Sequence, residues 1–353
     1  MSSTSTYTRI ADILPDTFET KTASKDDLVP GPNQVVVRVT YLSLDPAMRG
    51  IGEVMRAAGL GVVVQVGSGS QFKEGDLVSG TVGWTEYVVL DDRKLQKITP
   101  PPGCTSLDFL NTLGLTGMTA YFGLHDVGKL KAGETLVVSG AAGAVGSLVC
   151  QLGKRAGARV IGIAGSSEKC AWVETELGVD KALNYKLPTF KQDFKDAVGY
   201  LDVYFDNVGG GILDLALTRL NKRARIALCG AISAYNSAES HQGLQNYMNL
   251  IAQRAKMEGF IIFDYASEYP RAVKELAVGL ADGSIKRKFH IVEGLEKAPN
   301  ALLMLYSGAN DGKLYVVVVC LCLARSSKSR HGLIWDSRVV KVSDELGPGS
   351  SKL

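Results

Sequence analysis

Thr135-Leu-Val-Val-Ser-Gly-Ala-Ala-Gly-Ala-Val-Gly-Ser-Leu-Val-Cys150 constrains the fold of this chain more than any other stretch. Thr135 to Val138 are apolar or β-branched and predict a short buried strand. Gly140-x-x-Gly143-x-x-Gly146 follows, and Val145, Leu148, Val149 and Leu152 then recur at helical spacing. Strand, glycine turn and helix in that order suit a dinucleotide. The glycines let the backbone approach a pyrophosphate, whose charge then faces the unpaired N–H groups and positive end of the helix. Ala142 stands where the middle glycine of G-x-G-x-x-G is often found. The expected phosphate contacts are Gly140, Ala142, Gly143, Ala144, Val145 and Gly146. The plainer alternative is a tight turn with close helix–strand packing.

The flanking sequence divides in two. Before this stretch the chain is β-rich, with strand-like runs at 34–43, 61–66, 76–80 and 85–90 separated by glycine turns. That pattern predicts a partly closed antiparallel barrel. Pro100-Pro-Pro-Gly103 marks a boundary, and 113–124 reads as a helix. From Thr135 strands alternate with helices: strand 159–164, helix 168–177, strand 201–206, helix 211–220, strand 225–230. Such alternation implies right-handed crossovers and a parallel sheet. Residues 244–257 read as helix, 259–263 as strand and 272–281 as helix. The expected division is a first domain over 1–114, a nucleotide-binding domain over 115–285, and a return to the first domain over 286–353.

Composition narrows the function. With 353 residues the length fits about two domains. A net charge of +3, from 39 basic and 36 acidic residues without long basic runs, speaks against nucleic acid. No run of 18 apolar residues predicts a membrane span, and Met1-Ser-Ser-Thr-Ser-Thr-Tyr7 has no signal-peptide core. The six cysteines form no C-x-x-C pair, which suits a reducing compartment. The chain ends Ser351-Lys352-Leu353, the form of a peroxisomal address, so the expected location is cytoplasmic or peroxisomal. A catalytic zinc needs about three ligands and a structural one about four. The four histidines, at 125, 241, 290 and 331, do not pair with cysteine at ligand spacing, so no metal is expected.

The end of the second strand indicates which dinucleotide. A reader of an unphosphorylated ribose usually places Asp or Glu there. Here stands Gly165-Ser166-Ser167-Glu168-Lys169, whose hydroxyls and ammonium suit a 2′-phosphate. Tyr185 and Lys186, one loop further on, add a phenol and a second amine. Both lysines also read as ordinary solvated surface groups.

Six motifs then occur in order: Asp45-Pro-Ala-Met-Arg49, Leu115-Thr-Gly-Met-Thr-Ala-Tyr-Phe-Gly-Leu124, Ala141-Ala-Gly-Ala-Val-Gly-Ser147, Gly165-Ser-Ser-Glu-Lys169, Phe205-Asp-Asn-Val-Gly-Gly210 and Gly308-Ala-Asn-Asp-Gly-Lys-Leu314. On these the chain resembles the zinc-independent medium-chain dehydrogenase/reductases of the prostaglandin reductase and alkenal double-bond reductase type. The resemblance implies an α/β protein, with a GroES-like β-barrel catalytic domain and a Rossmann doubly wound parallel sheet. It implies NADPH-dependent reduction of the C=C bond of α,β-unsaturated ketones or aldehydes, and a possible homodimer. By the same resemblance Lys169 and Tyr185 hold the 2′-phosphate. Met118 and Thr119 pass near the nicotinamide, with Asn207, Val208, Cys229 and Gly230 beside it. Asn310 reaches the cofactor from the catalytic domain, and Tyr235 lies near the substrate carbonyl. The alternatives are an NADPH quinone reductase and a catalytically dead NADP-binding protein.

Two places depart from the family pattern. After Arg49 a single Gly50 stands where the family carries a longer segment that helps roof the pocket. Residues 315–338 interrupt the family's closing strand, and Val339-Val-Lys-Val342 resumes it. A retained intron and a genuine insertion both account for the interruption.

Overall fold

A computed structural model describes residues 17–23, 28–48, 54–236, 243–318 and 337–342. Three of the features above lie outside them: the junction at Gly50, most of the atypical segment at 319–336, and Ser351-Lys352-Leu353. The peroxisomal reading has no support beyond that tripeptide. No described helix is long and apolar enough to cross a membrane.

The first part of the chain is β-structure: β1 (Phe18–Ala23), β2 (Gln34–Ser43), β3 (Ala58–Val66), β4 (Leu77–Thr81), β5 (Tyr87–Asp91) and β6 (Leu95–Lys97). Helix α1 (Leu115–Phe122) leads into the second part. There follow β7 (Thr135–Ser139), α2 (Ala144–Arg155), β8 (Arg159–Ala164), α3 (Ser167–Thr175), β9 (Lys181–Asn184), α4 (Phe190–Val198) and β10 (Leu201–Asp206). Next come α5 (Gly210–Ala216), β11 (Leu220–Leu228), α6 (Ile232–Tyr235), α7 (Met248–Gln253), β12 (Lys256–Gly259) and α8 (Tyr269–Ala281). The chain closes with β13 (Phe289–Glu293), α9 (Ala298–Ser307), β14 (Lys313–Val317) and β15 (Ser337–Val342).

Six strands form a parallel sheet in the order β12-β11-β10-β7-β8-β9. This is the doubly wound arrangement. Its first strand, β7, lies between β8 and β10, so a crevice opens at the carboxyl ends of β7 and β10. The period of two along β7 explains why the sheet is buried on both faces. Leu136 and Val138 enter one core with α1, α2 and α8, while Val137 enters the other with Phe190 and Phe194 of α4.

The second sheet has seven strands, in the order β13-β14-β2-β3-β4-β6 with β5 paired to β2. All its pairs are antiparallel except β13 with β14. Val35, Val37 and Val39 of β2 face its core with Trp84, which stacks on Phe18 at 5.3 Å. Mixed α/β architecture, with a parallel sheet, a largely antiparallel sheet and the two-stranded β1–β15 pair, is therefore the observed fold class.

Three expectations need correction. Residues 244–257 are not one helix: only Met248–Gln253 is helical, and Lys256–Gly259 pairs with β11 as the edge strand. The expected strand at 259–263 accordingly lies earlier, and a 3-10 turn follows from Ile262. Residues 315–318, placed by sequence in the atypical segment, belong to the antiparallel sheet. Tyr315 is fully buried and donates to the Leu107 carbonyl at 3.1 Å, while Val316 and Val318 join the core. The Val339–Val342 run pairs instead with β1, from Phe18 opposite Val342 to Ala23 opposite Ser337.

The two crossings between the parts are clasped together. Arg287, on the return, pairs with fully buried Asp108 on the outward path at 3.1 Å. Asp108 also accepts from the Thr105 N–H at 2.7 Å, closing a capping box.

Candidate active site

The site begins where β7 ends. Gly140 takes φ +62°, a conformation costly for other residues, and its carbonyl accepts from Gly143 N–H at 2.9 Å. Ala141 N–H donates to Ile163 of β8, which ties the turn to the neighbouring strand. Gly143 is the N-cap of α2, and no side chain caps the helix. The N–H groups of Ala144, Val145 and Gly146 have no intrahelical acceptor, so they and the helix dipole face the crevice. A Cβ on Gly146 would stand 2.2 Å from the Gly140 carbonyl oxygen, so only glycine lets helix and turn meet this closely. This is a backbone cradle shaped for a pyrophosphate. The Ala142 side chain is buried in the core, which leaves only its backbone for a ligand.

At the end of β8, Ser166 caps α3 by accepting Lys169 N–H at 3.2 Å. Hydrogen bonds from the backbone and the Ser166 side chain hold the Glu168 carboxyl below its usual range. Gly165 lies close under Tyr185: a Cβ there would stand 3.1 Å from the ring. The Lys186 ammonium lies 6.0 Å from that ring's centroid. Lys169 Nζ donates to the Gly308 carbonyl at 2.8 Å, at the C-terminus of α9. Burial lowers the Lys169 pKa from the ordinary lysine value. Asn310, two residues beyond Gly308, donates from Nδ2 to the Gly312 carbonyl at 2.9 Å. Ser166, Lys169, Tyr185 and the Gly308–Asn310 turn thus surround one corner, with donors that fit a 2′-phosphate.

The opposite end of the crevice is built on β10. Asp206 is fully buried, and its carboxylate accepts from Ser139 Oγ at 2.8 Å, Val208 N–H at 3.1 Å and Gly209 N–H at 3.0 Å. Burial pushes its pKa up, against the pull of those donors. Asn207 Nδ2 donates to the Ser139 carbonyl at 2.7 Å, and Asn207 N–H donates to Ser139 Oγ at 2.9 Å. Asn207 and Val208 therefore flank Gly140. The Asp206 carbonyl accepts from Cys229 and Gly230 N–H, which draws the end of β11 alongside. Burial raises the Cys229 thiol to about 12 and keeps it protonated at neutral pH.

An open cavity of about 950 Å³ is lined here by Asp206, Cys229, Gly230, Ala231, Tyr235 and Phe260. The Tyr235 hydroxyl accepts from Ala231 N–H at 3.1 Å. Ile232 and Ser233 of α6 donate their N–H groups to the Asn207 and Val208 carbonyls, and Ser233 Oγ donates to Val208 at 2.6 Å. Tyr235 is thus mounted on the turn that Asp206 organises. Met118 sits in the hydrophobic core of α1, and the Thr119 hydroxyl donates within its own helix to Leu115 at 2.7 Å.

Sequence reasoning gave Ser139 and Asp206 no role. A lone acid closing the apolar run Val203-Tyr-Phe was the available signal, since a buried carboxylate requires donors. Among the described residues, no group of three or more His, Cys, Asp or Glu is placed to hold a metal ion.

Comparison with known proteins identifies the family. Residues 144–278 match the zinc-binding dehydrogenase family model, and residues 12–98 match the N-terminal domain of oxidoreductase. The 2-alkenal reductase (NADP(+)-dependent) of Nicotiana tabacum is 40% identical over 82% of this chain and 88% of its own. Prostaglandin reductase 1 of Bos taurus is 37% identical over 85% of this chain and 93% of its own. The crystal structure of CurA from Vibrio vulnificus in complex with NADPH superposes with a TM-score of 0.77 at 37% identity, covering 82% of this chain and 91% of that one. The chain belongs to the medium-chain dehydrogenase/reductase family, in its enone and alkenal reductase branch.

Proposed function

We propose that this protein reduces the C=C bond of α,β-unsaturated ketones or aldehydes, with Tyr235 as the group that meets the substrate carbonyl. The coarser statement follows from the family: the protein is an NADPH-dependent oxidoreductase acting on carbon–carbon double bonds. The finer substrate class is supported by the names of the tobacco and bovine relatives. Bound NADPH supplies the hydride, which adds to the β-carbon of the substrate.

The chain's own residues then have separable tasks. Gly140, Ala142, Gly143, Ala144, Val145 and Gly146 present backbone to the pyrophosphate. Gly165, Ser166, Lys169 and Tyr185 hold the 2′-phosphate, with Asn310 reaching the cofactor from the far side. Asn207, Val208, Cys229 and Gly230 border the nicotinamide end, and the family resemblance brings Met118 and Thr119 of α1 near it.

The observation that carries the mechanism is the Ala231 N–H bond to the Tyr235 oxygen. A hydroxyl that accepts there keeps its own proton to donate. As hydride reaches the β-carbon, negative charge develops on the carbonyl oxygen, and the phenol stabilises that enolate. Solvent protonates the α-carbon.

Tyr235→Phe is expected to lower kcat about tenfold to a hundredfold, with little change in KM for NADPH. An unchanged kcat would mean that Tyr235 is not the donor. The substrate class is tested by following NADPH consumption with a 2-alkenal, a simple enone and a quinone, and by identifying the saturated carbonyl product. Turnover of the quinone alone would replace this reading with a quinone reductase. NADPH binding without turnover of any of the three would favour a dead protein.

A homodimer belongs to the same proposal. Strand β12 is a sheet edge, and Met248, Ile251, Ile261 and Phe263 near it are exposed. Sedimentation as a monomer at micromolar concentration would exclude it.

A further inference from the structure

We infer that the Lys288–Asp311 ion pair sets the charge of the 2′-phosphate corner and so helps determine the preference for NADPH over NADH. This rests on the reading of Lys169 as a ligand of that phosphate. Lys169 and Trp172 lie three residues apart on α3 and share a face. Both meet the returning segment there. Lys169 donates to the Gly308 carbonyl, and the Lys288 ammonium lies 5.0 Å from the centroid of the Trp172 ring. Lys288 Nζ also lies 2.5 Å from Asp311 Oδ2.

The backbone fixes this pair. Lys313 N–H donates to the Lys288 carbonyl at 2.9 Å, and Asp311 N–H donates to His290 Nδ1 at 3.3 Å. Between them Gly312 takes φ +77°, and a Cβ there would stand 2.2 Å from the Lys288 carbonyl oxygen. The backbone of Asp311 is therefore held beside Lys288 by the β13–β14 connection.

Asp311, Lys186 and Lys288 are the charges that act on Lys169. The corner thus holds three cations and one carboxylate. A 2′-phosphate carries close to two negative charges at neutral pH, whereas a 2′-hydroxyl carries none. An uncompensated Asp311 would repel the phosphate and could accept from a ribose hydroxyl. It would then act as the acid that readers of NADH place at this corner. Lys288 cancels that acid, and Trp172 holds Lys288 in place to do so.

Opposite signs test the inference. The ratio of kcat/KM for NADPH to that for NADH is expected to fall about threefold to tenfold in Lys288→Gln and to rise in Asp311→Asn. Adenosine 2′,5′-bisphosphate, titrated by calorimetry against 5′-AMP, is expected to show the same ordering without any turnover. Side chains at 37% and 43% exposure are screened, so both shifts should shrink as salt is raised. An unchanged ratio in Lys288→Gln, or a lower ratio in Asp311→Asn, overturns the inference. Lys169→Ala separates the two readings. If it lowers the ratio while Lys288→Gln does not, only the ion-pair inference fails. If it leaves the ratio unchanged, the phosphate assignment fails and takes the inference with it.

Discussion

Alanine at Gly146 is expected to weaken NADPH binding at least about a hundredfold. The added carbon would stand 2.2 Å from the Gly140 oxygen, 2.8 Å from the Gly140 carbonyl carbon and 3.0 Å from Ala141 Cα. All three are backbone atoms, so no rotamer relieves the contact. Helix α2 must retreat from the turn, and its first N–H groups retreat with it. Hydrogen bonds to a charged partner contribute about 1.5–3 kcal/mol each, so losing two accounts for the hundredfold effect. Fluorescence titration with NADPH, together with a thermal melt of the ligand-free protein, separates lost binding from lost folding. Affinity within about threefold of wild type, in a folded variant, would show that the pyrophosphate lies elsewhere.

Asp206→Ala is expected to damage both stability and turnover. The carboxylate is fully buried, and its removal strands the Ser139 hydroxyl and the N–H groups of Val208 and Gly209. Each stranded donor costs about 1–3 kcal/mol, so the fold should lose about 3 kcal/mol or more, and Tm roughly 5–10 °C. The Asn207–Gly209 turn then loses its anchor. Because Ile232 and Ser233 hang from that turn, Tyr235 moves too, and kcat should fall more than tenfold. A melt within about 1 °C of wild type would contradict the role given to this network.

What sequence makes legible here follows the range of the interactions. The glycine turn is local: spacing alone places Gly140, Gly143 and Gly146, and their conformations follow from neighbours a few residues away. The strand–helix alternation is equally local, and it yields the parallel sheet. Strand β1 is different. Phe18-Glu-Thr-Lys-Thr-Ala23 alternates weakly and has few apolar residues, and its order comes from β15 at the far end of the chain. The error at 244–263 has a related cause. Met248, Leu250 and Ile251 recur at helical spacing, but Lys256-Met-Glu-Gly259 becomes a strand only because β11 offers it a free edge. In the site, the glycine turn and Lys169 stand out from local pattern alone. Ser139 and Asp206 also close strands, but that they pair, and that Lys288 pairs with Asp311, depends on which strands become neighbours.

The Arg287–Asp108 clasp bears on the order of assembly. Strands β2 and β14 pair although the whole nucleotide-binding unit lies between them in the chain. Closing so long a loop from an open coil carries an entropic cost that grows with its length. Once the inserted unit has folded, its two ends stand side by side, and the remaining loop is effectively short. The antiparallel sheet is therefore cheapest to complete after the parallel unit inserted within it has brought those ends together.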